Sequence, residues 1–291
     1  MATLRDIKSS IKGIQNIQQI TKAMKMVATA KLKRAQENVI NSRPYARKIS
    51  SMLSHLVTDE YRSTNMMFYQ KENNKTLLVV VTSDRGLCGA FNTNIIREAN
   101  RIIDEDFAAN KIEYEFYCVG KKGYDFFENR AYPINGYKTG VFSSLQYESA
   151  LEIADHIISG YHSQKYDSVI MVYNEFKSII QQKIVSEQFL PIPKLADNSN
   201  SDNAISGYII EPNQKYIFDY LIPKHLKAQI WRILSESNAA EFGARMTAMD
   251  NATTNAKEMI RTLQLKYNKE RQASITKEIL EIVSGAEALK S

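Results

Sequence analysis

Two glycine-containing segments are the parts of the chain whose residue types could bind a phosphate group. They are RGLCGAF, with Gly86 and Gly89, and VGKKG, with Gly120 and Gly123. Glycine-rich turns before a helix bind phosphate through backbone N–H groups. RGLCGAF is not a GxGxxG fingerprint, and VGKKG lacks the four-residue spacing and the Ser or Thr of a P-loop. We therefore expect these glycines to allow tight turns between a strand and a helix.

The other reactive residue types do not form a recognisable catalytic or metal site. Cys88 and Cys118 fall in different apolar neighbourhoods, and the four histidines form no pair at ligand spacing. We find no Ser/His/Asp, Cys/His or paired-carboxylate arrangement with a defensible spacing. On its own residues the chain does not look like an enzyme, and we expect no cofactor and no metal. The two cysteines give no disulfide framework, which suits a reducing compartment.

The C-terminal segment predicts one very long helix. The last 68 residues of the chain contain no proline, and the only glycines among them are Gly243 and Gly285. The segment is rich in Ala, Leu, Ile, Lys, Glu, Gln and Met, which favour helix. A continuous helix from about Lys224 to Glu287 would be roughly 95 Å long at about 1.5 Å per residue. A helix of that length exceeds the diameter of a domain of this size, so much of it must project.

The N-terminal segment predicts a second long helix, from Thr3 to about Val57, broken only by Gly13 and Pro44. Apolar residues recur in it at intervals of three and four, which indicates one packing face. The face comprises Leu4, Ile7, Ile11, Ile14, Ile17, Ile20, Met24 and Val27.

The two terminal helices carry faces that could fit each other. The C-terminal helix has alanines at every fourth position, which would let another helix approach closely. These are Ala240, Ala244, Ala248, Ala252 and Ala256, and the face continues through Met259, Leu263, Tyr267, Ile275, Ile279 and Val283. We therefore expect an antiparallel coiled coil between the two ends of the chain. The alternative is that each helix packs on its own globular core.

The end of the C-terminal helix is more apolar than one partner helix could bury. We expect an apolar tip that is covered by another protein. The tip residues are Ile275, Ile279, Leu280, Ile282 and Val283.

The middle of the chain predicts an α/β domain with a mostly parallel sheet, of Rossmann-like type. Apolar runs predict strands at 76–82, 112–119 and 168–173, and helical patterns lie between them, at 92–107, 124–129 and 146–161. A polar, turn-rich loop is expected at 196–206. No run of 18 or more apolar residues appears, so no membrane span is expected.

Positive charge is concentrated in the terminal helices. Residues 1–48 carry eleven Lys/Arg against two acids, or +9, and residues 224–291 carry eleven against eight, or +3. Since the whole chain is +6, the middle is +6 − 9 − 3 = −6. A basic helix is usually a solvated face, but its partner could also be nucleic acid, anionic lipid or an acidic protein surface.

Three segments resemble the gamma subunits of F-type ATP synthases. They are IKGIQNIQQITKAMKMVATAKLKRAQ (11–36), SDRGLCGAFN (83–92) and YNKERQASITKEILEIVSGAEAL (267–289). The resemblance runs along the whole chain, and the absence of a leader before ATLRD is similar to bacterial members. It implies an N-terminal shaft helix at 1–58, an α/β foot domain at 75–210 and a C-terminal shaft helix at 211–291.

The resemblance implies a rotor shaft that is not itself catalytic. Such a shaft turns inside a ring of three alpha and three beta subunits, and its apolar tip turns in a collar. Its foot meets the epsilon subunit and the membrane ring of c subunits. Rotation couples ion flow through the membrane sector to ATP synthesis or hydrolysis at the beta subunits. The implied location is peripheral, on the cytoplasmic face of the bacterial inner membrane.

The resemblance also implies contact residues. Met24 and Lys25 match the shaft position that faces the beta subunits, and Tyr208 in SGYIIEP resembles the foot strand near epsilon. The polar contacts between the upper shaft and beta match Arg245, Gln272, Thr276 and Glu278. For each of these residues, an ordinary position on a coiled coil is the alternative.

Two other functions remain open from the residues alone. The first is a nucleotide-binding α/β enzyme with helical dimerisation arms, which would bind ATP or NAD without partners. The second is a nucleic-acid-binding arm, which would show steeply salt-dependent affinity. Few aromatic residues interleave the basic ones, which counts against base stacking and favours a protein that binds no nucleic acid.

Overall fold

The computed structural model describes residues 3–69, 73–178, 181–193 and 213–288. The predicted terminal helices are present as α1 (Leu4–Leu56) and α7 (Gln214–Ala288). The expected breaks in α1 were wrong, because the helix continues through both Gly13 and Pro44. Proline removes the hydrogen bond to the carbonyl four residues earlier. Here that residue is the exposed Ile40, so water can reach the free carbonyl group.

The central part alternates strands and helices, as the apolar runs predicted. The structure adds the strands β3 and β5, which the sequence did not reveal. β3 is short and contains Gly136, and β5 is a polar edge strand. The elements in chain order are α2 (Asp59–Thr64), β1 (Lys75–Val81), α3 (Phe91–Arg101), a π-helical stretch (Ile102–Phe107), α4 (Ala108–Asn110), β2 (Glu113–Val119), α5 (Lys121–Glu128), β3 (Ile134–Lys138), α6 (Tyr147–His162), β4 (Ser168–Phe176) and β5 (Gln182–Leu190).

The five strands form one sheet in the order β3-β2-β1-β4-β5. Strands β1 to β4 are parallel, and β5 pairs antiparallel with β4. The central strand β1 aligns Val79 with Tyr117 of β2 and with Met171 of β4. A parallel strand in this position is buried on both faces, which accounts for its unbroken apolar sequence.

Each face of the sheet is covered by helices. Leu77 and Val79 of β1 point into a core shared with α1, α6 and the start of α7, where Leu53 and Ile230 are fully buried. The other face packs on α3 and α5 through a core that includes Val80. Burying one such side chain contributes about 1.5–3 kcal/mol. The fold is therefore α/β, with a Rossmann-like sheet domain and a coiled coil of the two terminal helices.

The chain divides into two compact units. The first comprises Met1–Ala28 with Met246–Ser291, and the second comprises Thr29–Arg245. In the first unit α1 and α7 run antiparallel, since Thr21 contacts Thr253 and Lys25 contacts Asp250. The predicted coiled coil is thus confirmed in the contacts of this unit.

The predicted packing face of α1 was partly wrong. Ile17, Ile20 and Val27 are more than half exposed. The buried or half-buried positions instead keep a seven-residue repeat, as a supercoiled helix pair requires. They are Leu4, Ile7, Ile11, Ile14, Gln18, Thr21, Lys25 and Ala28, and Met24 next to Lys25 is also half-buried.

On α7 the predicted packing face is also partly different from the observed one. Met259 is exposed, and its neighbour Ile260 lies on the half-buried side with Leu263 and Tyr267. The loop expected at 196–206 lies outside the described residues. Within the described residues, no helix is long and apolar enough to cross a membrane.

Candidate functional site

The candidate site lies in the unit Thr29–Arg245, where α7 passes the carboxyl ends of the parallel strands. Leu234 belongs to the core on one face of the sheet, and Ala240 belongs to the core on the other. Between them α7 carries the buried polar run Ser235, Glu236, Ser237 and Asn238. A helix that crosses the end of a sheet meets strand termini and loops there, which accounts for polar residues in an otherwise apolar stretch.

This crossing point coincides with the place where parallel α/β sheets usually bind ligands. Strands β2 and β3 lie on one side of β1, whereas β4 lies on the other, so the chain order reverses between β1 and β4. Ligands of such folds bind in the crevice outside the carboxyl ends of strands at that reversal. Here Ala240 of α7 packs with Val80 of β1 and Val172 of β4. The protein thus places its own helix beside the crevice, which weakens the nucleotide-enzyme alternative.

The turn after β1 is held by short-range polar contacts. Ser83 donates its backbone N–H to Asn92 Oδ1 at 2.9 Å, and Asn92 Nδ2 lies 2.8 Å from Ser83 Oγ. Asn92 Nδ2 also lies 3.3 Å from Cys88 Sγ. These contacts join the start of α3 to the end of β1 and fix the segment SDRGLCG between them.

Asp84 connects this turn to the loops that follow β2 and β3. Its Oδ1 accepts the backbone N–H groups of Lys121 at 3.1 Å and of Gly140 at 2.7 Å. Its Oδ2 accepts the N–H of Phe142 at 2.8 Å. Bonds from N–H groups to a carboxylate are stronger than neutral ones. One side chain therefore organises three loops at this end of the sheet.

Gly120 shows why glycine is required in VGKKG. Its φ is +91°, and a Cβ atom there would lie 2.0 Å from the carbonyl oxygen of Thr82. The hydroxyl of Thr82 accepts the N–H of Gly123 at 2.8 Å. The prediction of a tight strand-to-helix turn is confirmed for Gly120, whereas Gly86 has no positive φ and a Cβ there would meet only Lys122 at 3.7 Å.

Arg245 of α7 holds the segment SDRGLCG from the side. Its Nη1 donates to the carbonyl oxygen of Gly86 at 2.6 Å, and its Nη2 donates to that of Arg85 at 3.2 Å. Its Nε donates to Glu241 Oε1 at 2.8 Å. Leu87, the next residue of the loop, has φ 65° and is 66% exposed. A leucine in the left-handed region is uncommon, and the Arg245 contacts stabilise that conformation.

Burial dominates the protonation chemistry of this site. It raises the pKa of Glu241 above its ordinary value, while the Arg245 charge and hydrogen bonds act in the opposite direction. Burial also raises the pKa of the Cys88 thiol, and it raises that of Cys118 to about 12. Both cysteines are free and buried, so neither is an activated nucleophile.

The predicted beta-contact residues of the shaft fall into two groups. Lys25 lies in the seam, that is, the contact between α1 and α7 in the coiled coil. Its Nζ contacts Asp250 Oδ1 at 2.6 Å, and the neighbouring Met24 is half-buried. Arg245 forms hydrogen bonds with Glu241 and with the SDRGLCG segment, as described above. The others are exposed on the last part of α7 and interact only locally in the contacts observed. Thr276 Oγ1 donates to the Gln272 carbonyl oxygen at 2.9 Å, and Glu278 Oε1 accepts from Ser274 at 3.3 Å.

The predicted apolar tip is exposed along its length. Two contacts, Thr21 with Thr253 and Lys25 with Asp250, give a register in which paired residue numbers add up to about 274. The first turn of α1 is then opposite residue 270 of α7, so the helix beyond it has no facing α1 segment. The tip side chains are between about half and three-quarters exposed: Ile275, Ile279, Leu280, Ile282 and Val283.

Tyr208 lies outside the described residues. In residues 3–69, 73–178, 181–193 and 213–288, no group of three or more His, Cys, Asp or Glu side chains is placed to hold a metal ion.

Sequence reasoning missed the side chains that organise the crossing point. Asp84 lies within a segment that was interpreted through its glycines and its family resemblance, with no role assigned to the carboxylate. Glu236 and Glu241 were available signals, because carboxylates amid the apolar residues of a long helix indicate buried ion pairs. The i,i+4 partners Arg232 and Arg245 could be read from spacing, but Arg43 could not be found without the fold, since it lies 193 residues away from Glu236.

Known proteins match this chain along its full length. A family model described as ATP synthase matches residues 3–289. The ATP synthase gamma chain of Chlorobaculum parvum is 51% identical, with 100% of both chains covered. The ATP synthase gamma chain of Chlorobium chlorochromatii is also 51% identical, with 99% of each covered.

Solved structures with a similar fold come from mitochondrial ATP synthases. A chain of the central stalk and c-ring structure from Tetrahymena thermophila is 28% identical, with a TM-score of 0.63. That match covers 80% of this chain and 99% of the other. A chain of the OSCP/F1/c-ring structure from Euglena gracilis has a TM-score of 0.72 at 20% identity, covering 98% and 94% of the two chains.

Proposed function

The chain belongs to the family of ATP synthase gamma chains, and we propose that it is the central-stalk subunit of an F-type ATP synthase. The observation that carries this proposal is the full-length match to gamma chains at about half identity, on a fold with a TM-score of 0.72 to an ATP synthase chain. The subunit is not catalytic. It couples ion flow through the membrane sector to ATP synthesis or hydrolysis at the beta subunits by rotating.

The partners of the chain follow from this role. The alpha and beta subunits form the ring around the terminal helices, and the epsilon subunit and the c-ring meet the α/β foot domain. We propose the division into shaft helices at 1–58 and 211–291 and a foot at 75–210. The location is the cytoplasmic face of the bacterial inner membrane, where the chain is peripheral. Tyr208 is the proposed foot contact to epsilon.

The exposed end of α7 supports the proposal that an apolar collar surrounds the tip. Isolated apolar side chains on a surface are ordinary, but a continuous exposed patch marks an interaction site. Five large aliphatic side chains lie within nine residues of α7, and the most exposed, Ile282, is 72% accessible. Enclosure by an apolar collar would remove this surface from water at a gain of about 25 cal/mol per Å².

Electrostatics supports contacts between the N-terminal helix and acidic segments of beta. Residues 1–48 carry a net charge of +9. Complementary charges across an interface orient the partners and fix their register. Gln272, Thr276 and Glu278 are exposed and available as contacts, in agreement with their proposed role. Lys25 and Arg245 already have partners within the chain, so we propose that they act through Asp250 and through the segment SDRGLCG, respectively.

Reconstitution tests the proposed function. Purified alpha and beta subunits are assayed for ATP hydrolysis with and without this chain, and the mixture is separated by gel filtration. We expect strong stimulation and co-elution of one copy per ring of six large subunits. Absence of a complex and of stimulation, together with tight binding of ATP or NAD by the chain alone, would instead support the enzyme alternative.

A further inference from the structure

A buried carboxylate joins the two long helices within the unit Thr29–Arg245. Glu236 of α7 has a side chain that is only 2% exposed. Its Oε1 accepts from Arg43 Nε of α1 at 3.1 Å and lies 3.6 Å from Nη1 of Arg232, one turn earlier on α7. Glu236 is thus held between a cation on each helix.

The two arginines extend this contact to the sheet. Arg43 Nη2 donates to the carbonyl oxygen of Phe176, the last residue of β4, at 3.0 Å. Arg232 Nη1 donates to the hydroxyl of Tyr173 on β4 at 3.1 Å, and its Nη2 donates to Glu187 on β5 at 2.8 Å. We call Arg43, Glu236, Arg232, Tyr173 and Glu187 the Glu236 network.

The Glu236 network lies beside a cavity rather than within solid packing. A cavity of about 320 Å³ opens between α1, α7 and the end of β4, and Arg43, Arg232 and Glu236 line it. The helices are therefore not in continuous apolar contact at this level. Directional polar contacts are what bridge the helices and the sheet there.

Apolar packing and polar networks resist different deformations. The hydrophobic effect is non-directional, so it opposes separation of two surfaces more than sliding between them. A hydrogen bond weakens steeply once its angle is lost, so it opposes sliding and rotation. A torque about a helix axis is a sliding load on the surface between the helix and the sheet. The directional network is suited to bear that load.

We propose that the Glu236 network transmits torque between the α/β domain and the two long helices, with Glu236 as the positioning residue that holds both arginines. This inference rests on the proposed function, because only a rotating subunit carries such a load. Weakening the network lets the helices slip against the sheet during rotation. Ion transport then falls behind ATP hydrolysis, although the complex remains assembled.

The test uses the complete ATP synthase in lipid vesicles, containing Glu236→Gln. ATP hydrolysis and ATP-driven uptake of the coupling ion are measured on the same preparation. We expect hydrolysis at the wild-type rate and a loss of ion uptake per ATP. An unchanged ratio of uptake to hydrolysis in an assembled Glu236→Gln complex overturns the proposal.

Matched variants separate the network from general damage. Glu148→Gln changes an exposed residue of α6 and should leave the ratio at the wild-type value. Arg43→Gln should reproduce the loss, whereas Arg43→Lys keeps the charge and should restore most of it. The double variant Arg43→Gln/Glu236→Gln should lose no more than either single variant, because the two residues act as one unit. Additive losses would contradict action through a shared network.

The outcomes also distinguish this inference from the proposed function. If the wild-type chain does not assemble with alpha and beta, the proposed function fails. If the wild-type complex transports ions and the variants transport equally well per ATP, only the torque role fails. Should Glu236→Gln prevent assembly, Arg43→Gln tests the same link, since Arg43 is one-third exposed and the buried Glu236 carboxylate keeps Arg232 as its partner.

Discussion

The hydroxyl oxygens of Thr21 and Thr253 lie 2.8 Å apart, in the seam between the two terminal helices. Each hydroxyl has one proton, so one threonine donates to the other, and the second donates to a backbone carbonyl oxygen, that of Gln18 for Thr21 or that of Met249 for Thr253. Both threonines occupy seam positions where the seven-residue repeat calls for apolar residues. A polar pair at one seam position specifies the register of a coiled coil at some cost in stability. We therefore interpret the pair as the determinant of the axial register of α1 and α7 in this unit.

Replacing one threonine should be more harmful than replacing both. Thr21→Val or Thr253→Val alone leaves a hydroxyl facing an apolar group and should lower the free energy of unfolding by about 1 kcal/mol. The double variant removes both hydroxyls and should be near neutral, within about 0.5 kcal/mol. Urea unfolding of the isolated chain measures these differences. If the double variant costs the sum of the two single variants, the hydroxyls do not act as a pair.

Asp84 should contribute strongly to stability through the loops that it joins. Asp84→Ala removes the acceptor of three backbone N–H groups, those of Lys121, Gly140 and Phe142. Partial replacement by water leaves an expected loss of about 2 kcal/mol in the free energy of unfolding. Asp106→Ala, at an exposed carboxylate of the π-helical stretch, is the matched control. Equal unfolding midpoints for the two variants would show that the Asp84 contacts contribute nothing.

Arg245→Gln should loosen the segment SDRGLCG while the sheet remains intact. The variant loses the charged bonds to the carbonyl groups of Arg85 and Gly86. Hydrogen bonds to charged groups contribute about 1.5–3 kcal/mol, so amides of residues 86–89 should exchange at least about tenfold faster. Hydrogen–deuterium exchange with mass spectrometry measures this rate, with Arg261→Gln, at an exposed arginine of α7, as control. Unchanged protection in Arg245→Gln would mean that the loop holds its own conformation.

His225 should make the folded chain less stable in mild acid. Burial, together with the smaller effect of the nearby Arg232 charge, lowers the pKa of His225 to about 4. The unfolded chain binds a proton near pH 6.5, so the stabilisation is fully present above that pH and is lost as the pH falls toward 4. Between pH 7 and pH 5 the loss is about 2 kcal/mol.

The variant His225→Gln should remove this part of the pH dependence. Urea unfolding at pH 7 and at pH 5 measures it in both proteins. The wild-type difference should exceed that of the variant by the amount given above, because the remaining titrating groups, including His156, are common to both. Equal differences in the two proteins would show that His225 titrates normally in the folded chain.

The sequence predicts most of the fold because its patterns are local. Residues 76–82 are uniformly apolar, which indicates a strand buried on both sides, and the absence of proline after Lys224 indicates a long helix. Strand β5 was missed because it is an edge strand whose alternating polar residues resemble a loop. The face of α1 was misassigned because Ile17 and Ile20 are more apolar than Gln18 and Thr21. Only pairing with α7 determines which of them lie in the seam.

The candidate site was harder to predict, because it consists of contacts between distant segments. Arg43 and Glu236, and Arg245 and Gly86, are far apart in sequence and meet only after the sheet has formed. By contrast, the exposed tip from Ile275 to Val283 could be predicted from one segment, since its apolar residues surround too much of the helix for one partner. Local patterns thus indicate where surfaces lie, whereas the fold determines which charges are already paired.

The most direct test of the central claim is to observe rotation. The alpha–beta ring is fixed to a surface, and a bead is attached to an Asn129→Cys variant through the new thiol. Asn129 is exposed, whereas Cys88 and Cys118 are at most 1% exposed, so labelling should be specific. We predict net rotation in one direction that starts with ATP and stops when ATP is removed. A complex that hydrolyses ATP while the bead shows only undirected motion would contradict the assignment of this chain as the rotor shaft.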